Sequence, residues 1–186
     1  MRLFIAVNLP DHVRRGAWDT AAPLRAKRYP VKWVDTDALH VTVKFLGDVS
    51  DEREPAVVEA LAAAALGAKS FSLAIDGFGA FPAVRRPRVV WVGCEAAPPL
   101  ELLQHRVEQE MDRLGFPLEG RPFHPHLTLG RAKRNARPGD FAGFESDLEA
   151  LHYSAEVTVA SIDLMESTLT PRGARYTRRH AVPLAG

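Results

Sequence analysis

The chain of 186 residues is 46% hydrophobic and 25% charged, and its 24 Lys and Arg against 23 Asp and Glu leave a formal net charge of +1. This hydrophobic fraction and near-neutral balance exclude an expanded, disordered chain, and the length suffices for one sizeable core or two small lobes sharing one. By itself a charge of +1 argues against a nucleic-acid partner.

Arg2 to Leu9 reads as a strand from its branched and aromatic content; its apolar part is too short for a signal-peptide core, and Asn8 and Pro10 follow it in place of a small-residue cleavage site. No window approaches the roughly 18 to 20 apolar residues of a membrane span, so a soluble, cytoplasmic protein is expected. Asp11 to Arg28 suits a helix that Pro23 kinks or ends. Val31 to Val34 is a short strand and Leu39 to Leu46 a longer one, closed by Gly47. Ser50, with Asp51, Glu52 and Glu54 after it, marks a helix N-terminus, and the alanine-rich helix from Pro55 to Leu66 stops at Gly67.

Phe71 to Phe78 and Val89 to Val92 are expected strands, joined by a loop holding Pro82, Arg85, Arg86, Pro87 and Arg88. The lone cysteine, Cys94, excludes an internal disulfide and a multi-cysteine zinc site, and its apolar surroundings suit a buried, inert thiol. From Pro98 the spacing of Leu100, Leu103, Val107, Met111 and Leu114 predicts a helix with these residues in the core, ended by Gly115. His126 to Leu129 is a further strand, a basic loop runs to Asp140, and a long strand is expected from about Ala155 to Met165. Mixed strands and helices joined by short turns give an α+β class.

Two segments share one pattern: His40-Val-Thr42-Val43 and, 86 positions later, His126-Leu-Thr128-Leu129. In a strand, residues two apart face one way and lie about 6 to 7 Å apart, so each motif sets an imidazole beside a hydroxyl, with apolar residues turned to the opposite face. If the two strands face one groove, it holds two imidazoles and two hydroxyl donors. One imidazole can take a proton from an attacking oxygen while the other gives one to a leaving oxygen, and both titrate close to neutral pH. The hydroxyls can donate to phosphate oxygens as negative charge shifts onto them. The plain alternative is a solvated polar strand face. His124-Pro-His126 could open a metal site, but no carboxylate or cysteine spacing completes it. His12, His105, His152 and His180 have no neighbouring pattern.

These segments resemble the 2H phosphoesterases, in particular the bacterial and archaeal RNA 2′,3′-cyclic phosphodiesterases, also called 2′-5′ RNA ligases. The resemblance is carried by Arg2-Leu-Phe-Ile-Ala6, His40-Val-Thr-Val-Lys-Phe-Leu-Gly47, Phe123-His-Pro-His-Leu-Thr-Leu-Gly-Arg131 and Ser167-Thr-Leu-Thr-Pro-Arg-Gly-Ala-Arg-Tyr176. It implies a single domain over 1–186 made of two pseudo-symmetric lobes, each an antiparallel sheet with outer helices, around a central cleft. It also implies opening of a terminal 2′,3′-cyclic phosphate to a 2′-phosphate, and reversible ATP-independent 2′-5′ joining, by a monomer with neither metal nor cofactor. His126 would then be the proton acceptor and His40 the proton donor, with Thr42 and Thr128 holding the phosphate.

Four further residues are placed by parity and context. Arg131 has the wrong strand parity to join His126 and Thr128 unless the chain bulges at Gly130, in which case it can bind substrate; otherwise it is a surface arginine. Lys44 has the right parity with His40 and Thr42, and Phe45 is expected in the core, with base stacking the alternative. Tyr176, in a basic, polar segment, is the better stacking candidate. Two other readings stand beside the RNA-end enzyme: a non-catalytic module that binds RNA ends, and a phosphodiesterase for small cyclic nucleotides or ADP-ribose cyclic phosphate.

Charge patterning qualifies the total of +1. Basic residues cluster in the loop with Arg85, Arg86 and Arg88, between Arg121 and Arg137, and at Arg172, Arg175, Arg178 and Arg179. Acids concentrate on the helices with Glu54 and Glu59 and with Glu101, Glu108, Glu110 and Asp112, and again at Glu145, Asp147 and Glu149. A basic groove rim offset by acidic outer helices is expected, which permits salt-sensitive RNA binding.

Overall fold

The computed structural model describes residues 1–95 and 97–186. Nine strands follow the order β7-β4-β5-β6-β3-β1-β8-β9, with β2 added beside β6. They are β1 (Arg2–Asn8), β2 (Val31–Trp33), β3 (His40–Asp48), β4 (Phe71–Ala83), β5 (Arg86–Cys94), β6 (His126–Ala132), β7 (Ser154–Val159), β8 (Ser161–Thr170) and β9 (Gly173–Pro183). Every pairing between them is antiparallel. The path falls into halves, β7-β4-β5-β6 and β3-β1-β8-β9, whose inner strands β6 and β3 meet through one register pair, Val41 with Leu127. Both residues are fully buried, each contributing about 1.5 to 3 kcal/mol of apolar burial.

The helices are α1 (Asp11–Thr20), α2 (Ala22–Ala26), α3 (Glu54–Ala65), α4 (Pro98–Arg113) and α5 (Phe144–Glu149). The main core lies between the sheet and α1, α3 and α4: Leu3, Ile5 and Val7 of β1, Val41 and Val43 of β3, and Leu127 and Leu129 of β6 pack with Val13, Leu61, Leu100 and Met111. A smaller core under α2 and α5 holds Leu24, Val90, Phe141, Phe144 and Leu148. Helix α4 buries Leu100, Leu103, Val107 and Met111, as its spacing predicts, whereas Leu114 at its end is only partly buried, and Gly115 follows with φ +89°.

Several expectations need correction. The helix expected to Arg28 breaks at Ala21, and Pro23 sits in the first turn of α2, where its missing N–H costs nothing. A single 3₁₀ turn, Asp51–Arg53, comes between Ser50 and α3. Strand β4 extends to Ala83 and β5 starts at Arg86, so the expected arginine loop shrinks to a tight turn and Arg86, Pro87 and Arg88 are strand residues. The long strand from Ala155 to Met165 is two strands in different halves, because the chain leaves β7 at Ala160 and re-enters the sheet as β8 beside β1.

Candidate active site

The junction of the halves is where the two histidine motifs meet. Since Val41 and Leu127 are register partners and both face the core, their neighbours face the opposite side together. Continued by one residue either way, that register sets His40 across from Thr128 and Thr42 across from His126. His40, Thr42, His126 and Thr128 all line one cleft of about 470 Å³, along with Arg2, Phe4, Phe45, Arg131, Leu169 and Tyr176. The sequence-predicted candidates are thus brought into one hollow.

Each strand carries a bulge at the same offset from its histidine. In β3 the pairing with β1 steps from Ala6–Thr42 to Ile5–Lys44, leaving out Val43. In β6 the pairing with β5 steps from Trp91–Thr128 to Val90–Gly130, leaving out Leu129. The extra residue reverses side-chain parity beyond it, so the fourth residue after each histidine turns back and the fifth turns into the cleft. Arg131 therefore lines the cleft, through a bulge beside Gly130. Only glycine fits at Gly130, where a Cβ would lie 2.6 Å from Val31 Cγ1 and 2.8 Å from Trp33 Cε3.

The same shift overturns two parity arguments. Lys44 does not share the face of His40: it is buried, and its ammonium donates to both carboxylate oxygens of Glu108 at 3.0 and 2.9 Å and to the Pro117 carbonyl at 2.8 Å. Glu108, counted among the outer acids, is likewise buried in this pair. Phe45 is not in the core: it is 69% exposed and lies in the cleft.

The imidazoles are held alike. Nδ1 of His40 donates to the Ala38 carbonyl at 2.8 Å, and Nδ1 of His126 donates to the His124 carbonyl at 2.6 Å. With Nδ1 carrying the hydrogen, the neutral ring has its lone pair on Nε2, and for His40 the Thr42 hydroxyl lies 2.9 Å from that atom. Aromatic rings back both: Phe4 lies 4.9 Å from His40, and Phe81 meets His126 edge-on at 5.1 Å. Tyr176 stands edge-on to His40 at 5.0 Å.

Burial lowers the pKa of both histidines, His40 to about 4, and the bonds to Ala38 and His124 only partly offset it. Repulsion from the His126 ring and then from the Arg131 guanidinium adds to the lowering at His40, and repulsion from Arg131 and His124 adds to it at His126. Cys94 is partly buried, and burial pushes its thiol up to about 12, as expected of an inert group. Among the described residues, no three His, Cys, Asp or Glu side chains are grouped so as to hold a metal ion, and no helix is long and apolar enough to cross a membrane.

A second hollow of about 900 Å³ adjoins the cleft, sharing Ala38 and Tyr176 with it, and is lined by Arg15, Arg172 and Arg175 together with Asp35 and Asp37. Arg178 and Arg179 are not part of either hollow: Arg178 faces buried Asp163, and Arg179 binds Glu54 and Glu166.

The family model of the 2′-5′ RNA ligase superfamily matches residues 10–170. The chain belongs to that superfamily. Superfamily relatives include a Thermotoga maritima protein named RNA 2′,3′-cyclic phosphodiesterase, 32% identical over 95% of this chain and 91% of its own length. An Archaeoglobus fulgidus protein of the same name is 34% identical over 95% of this chain and 96% of its own. Among solved structures, TT0787 of Thermus thermophilus matches with a TM-score of 0.82 at 29% identity, covering 100% of this chain and 99% of that one. LigT of Escherichia coli, crystallised with 3′-AMP, matches with a TM-score of 0.76 at 29% identity, covering 100% and 98%. The α+β fold, an antiparallel sheet with helices, is shared with TT0787 and LigT.

Proposed function

We propose that this chain opens the 2′,3′-cyclic phosphate at the end of an RNA to a 2′-phosphate, by acid and base catalysis from His126 and His40. The observation that carries this reading is the pair of imidazoles in one cleft, each tied back through Nδ1 to the carbonyl two residues earlier. The names borne by the relatives, RNA 2′,3′-cyclic phosphodiesterase, agree with it.

In this mechanism Nε2 of His126 takes a proton from water as the water oxygen bonds to phosphorus. The bond from phosphorus to the 3′ oxygen breaks, and Nε2–H of His40 protonates that oxygen. Thr42 and Thr128 donate to the non-bridging oxygens, and Arg131 balances their charge. In joining, a 5′-hydroxyl takes the place of water: its oxygen bonds to phosphorus as the bond to the 3′ oxygen breaks, His126 and His40 keep their roles, and opening of the strained ring drives 2′-5′ joining without ATP. In the reverse reaction the 3′-hydroxyl attacks, the 5′ oxygen leaves and the two histidines exchange roles. Every proton has a protein group to carry it, so the reading invokes no metal.

His40→Ala and His126→Ala are each expected to lower kcat about 10²- to 10⁴-fold on a 2′,3′-cyclic nucleotide, and EDTA is expected to leave the wild-type rate unchanged. Near-wild-type turnover in either variant, or loss of activity in EDTA restored by a divalent ion, contradicts the two-histidine mechanism.

A further inference from the structure

A single 3₁₀ turn, Thr36–Ala38, leads into β3, and its last carbonyl is the one that holds Nδ1 of His40. Two backbone bonds close this turn, from Ala38 N–H to the Asp35 carbonyl at 2.9 Å and from Leu39 N–H to the Thr36 carbonyl at 3.2 Å. So short a turn has little stiffness of its own. The Asp37 carbonyl, one residue before Ala38, takes its bond from another element: Nη1 of Arg14 donates to it at 3.1 Å.

Arg14 stands on α1 beside Val13, which is fully buried in the main core. Its side chain is only 19% exposed, its Nη2 pairs with Asp11, and its Nε is buried without a partner among the described residues. An arginine that serves only solubility keeps its donors in water, whereas this one gives up the hydration of Nε to bring its outer nitrogens to the turn. His126 is held differently. The carbonyl of Pro125, between His124 and His126, accepts from the Cys94 N–H at 3.2 Å, so the stretch that carries the acceptor for its Nδ1 is tied to β5 by backbone.

We propose that Arg14 is a positioning residue for His40: by holding the Asp37 carbonyl it fixes the turn from which the Ala38 carbonyl receives Nδ1–H and leaves Nε2 to the cleft. The inference rests on the proposed function and deepens it. An imidazole whose Nδ1 has a fixed acceptor keeps one tautomer and one ring orientation, and the same bond steadies the ring when both nitrogens carry hydrogen. If the turn loosens, the two nitrogens compete for the hydrogen and Nε2 is no longer aimed at a reacting oxygen. Control thus runs from a helix anchored in the core, through a guanidinium and two successive carbonyls, to the ring. Arg14 does not line the cleft, so its loss acts on the ring and not on bound substrate.

The test pairs a measurement on the ring with turnover. Side-chain nitrogen NMR distinguishes a ring nitrogen that carries hydrogen from one that does not. At pH 7 wild type is expected to show His40 with its hydrogen on Nδ1, and Arg14→Met to show it shared between Nδ1 and Nε2. Arg14→Lys, which can still donate to the Asp37 carbonyl, is expected to resemble wild type. His126 stays unchanged in the same spectra and reports that the sheet is intact. On a 2′,3′-cyclic nucleotide Arg14→Met is expected to lower kcat about 10-fold with KM held within about 2-fold. Arg14→Gln, shorter and uncharged, is measured beside it, so that loss of the fold in one variant leaves the other to decide. An unchanged His40 tautomer, an equal change at both histidines, or a loss carried by KM with kcat intact overturns the inference. Should wild type open no cyclic ester, the functional reading fails, and the tautomer of His40 still decides whether Arg14 positions it.

Discussion

At the scale of single residues, the protonation of the two histidines sets the pH behaviour. Burial, with repulsion from neighbouring cationic groups, Arg131 among them, holds both imidazoles neutral near pH 7, with His40 at about 4. On the proposed roles the productive free form needs His126 neutral and His40 protonated, and because the two rings interact, their apparent pKa values belong to the pair. Both values lie below the ordinary 6.5, so kcat/KM, which reports the free enzyme, is expected to be bell-shaped with its maximum on the acid side of that value. A bound phosphodiester anion stabilises an imidazolium, which raises these pKa values and shifts the kcat profile to higher pH. Initial rates across pH 4 to 9 check this, and a kcat profile displaced to lower pH counts against it. The four residues of the two motifs were legible because alternation alone puts a histidine and a threonine on one face. Arg131, Phe45 and Lys44 lie beyond the bulges, where strict alternation gives the wrong answer.

At the scale of elements, the bulges are the features that alternation could not supply. Two cues for them lay in the sequence: a glycine at Gly130, and a lysine at Lys44 among apolar neighbours. What Lys44 pairs with is a tertiary fact, since Glu108 comes from α4, 64 residues away. This buried pair ties β3 to α4 with all three ammonium hydrogens bonded, and Glu108 also accepts from the Glu119 backbone N–H. Lys44→Met strands a buried carboxylate and is expected to cost about 3 to 5 kcal/mol, read from the urea midpoint, while Lys44→Met with Glu108→Leu recovers most of the loss. A single variant within about 0.5 kcal/mol of wild type contradicts this account of the pair. Strand β9 was not anticipated for a different reason: nearly all of its residues are exposed or only partly buried, so its sequence shows neither apolar alternation nor an apolar run.

At the scale of the whole molecule, the balance of +1 hides an uneven distribution. Arg2 and Arg131 line the cleft, and Arg15, Arg172 and Arg175 line the adjoining hollow, where Asp35 and Asp37 moderate them. Other arginines of the basic runs face acids: Arg85 meets Glu145 and Arg121 meets Glu119 in exposed pairs, and Arg179 holds β9 to Glu54 of α3. The expected basic rim is thus narrower than the sequence suggests, and it continues from the cleft on the His40 side. If the RNA strand follows it across two or three phosphates, log affinity for a single strand falls with log salt at a slope of about −1.4 to −2. A titration at several salt concentrations should give a smaller slope for Arg172→Ala with Arg175→Ala, and an equal slope would place the strand elsewhere.

The central claim is that the two halves of the sheet bring two imidazoles together to open a cyclic phosphate on RNA. Its most direct measurement is the end group formed on a defined oligonucleotide carrying a 2′,3′-cyclic phosphate, incubated with the full chain in EDTA. The account predicts a 2′-phosphate with a free 3′-hydroxyl from wild type, and an unopened ring from His40→Ala and His126→Ala. A 3′-phosphate product, or an intact ring after incubation with wild type, would contradict it.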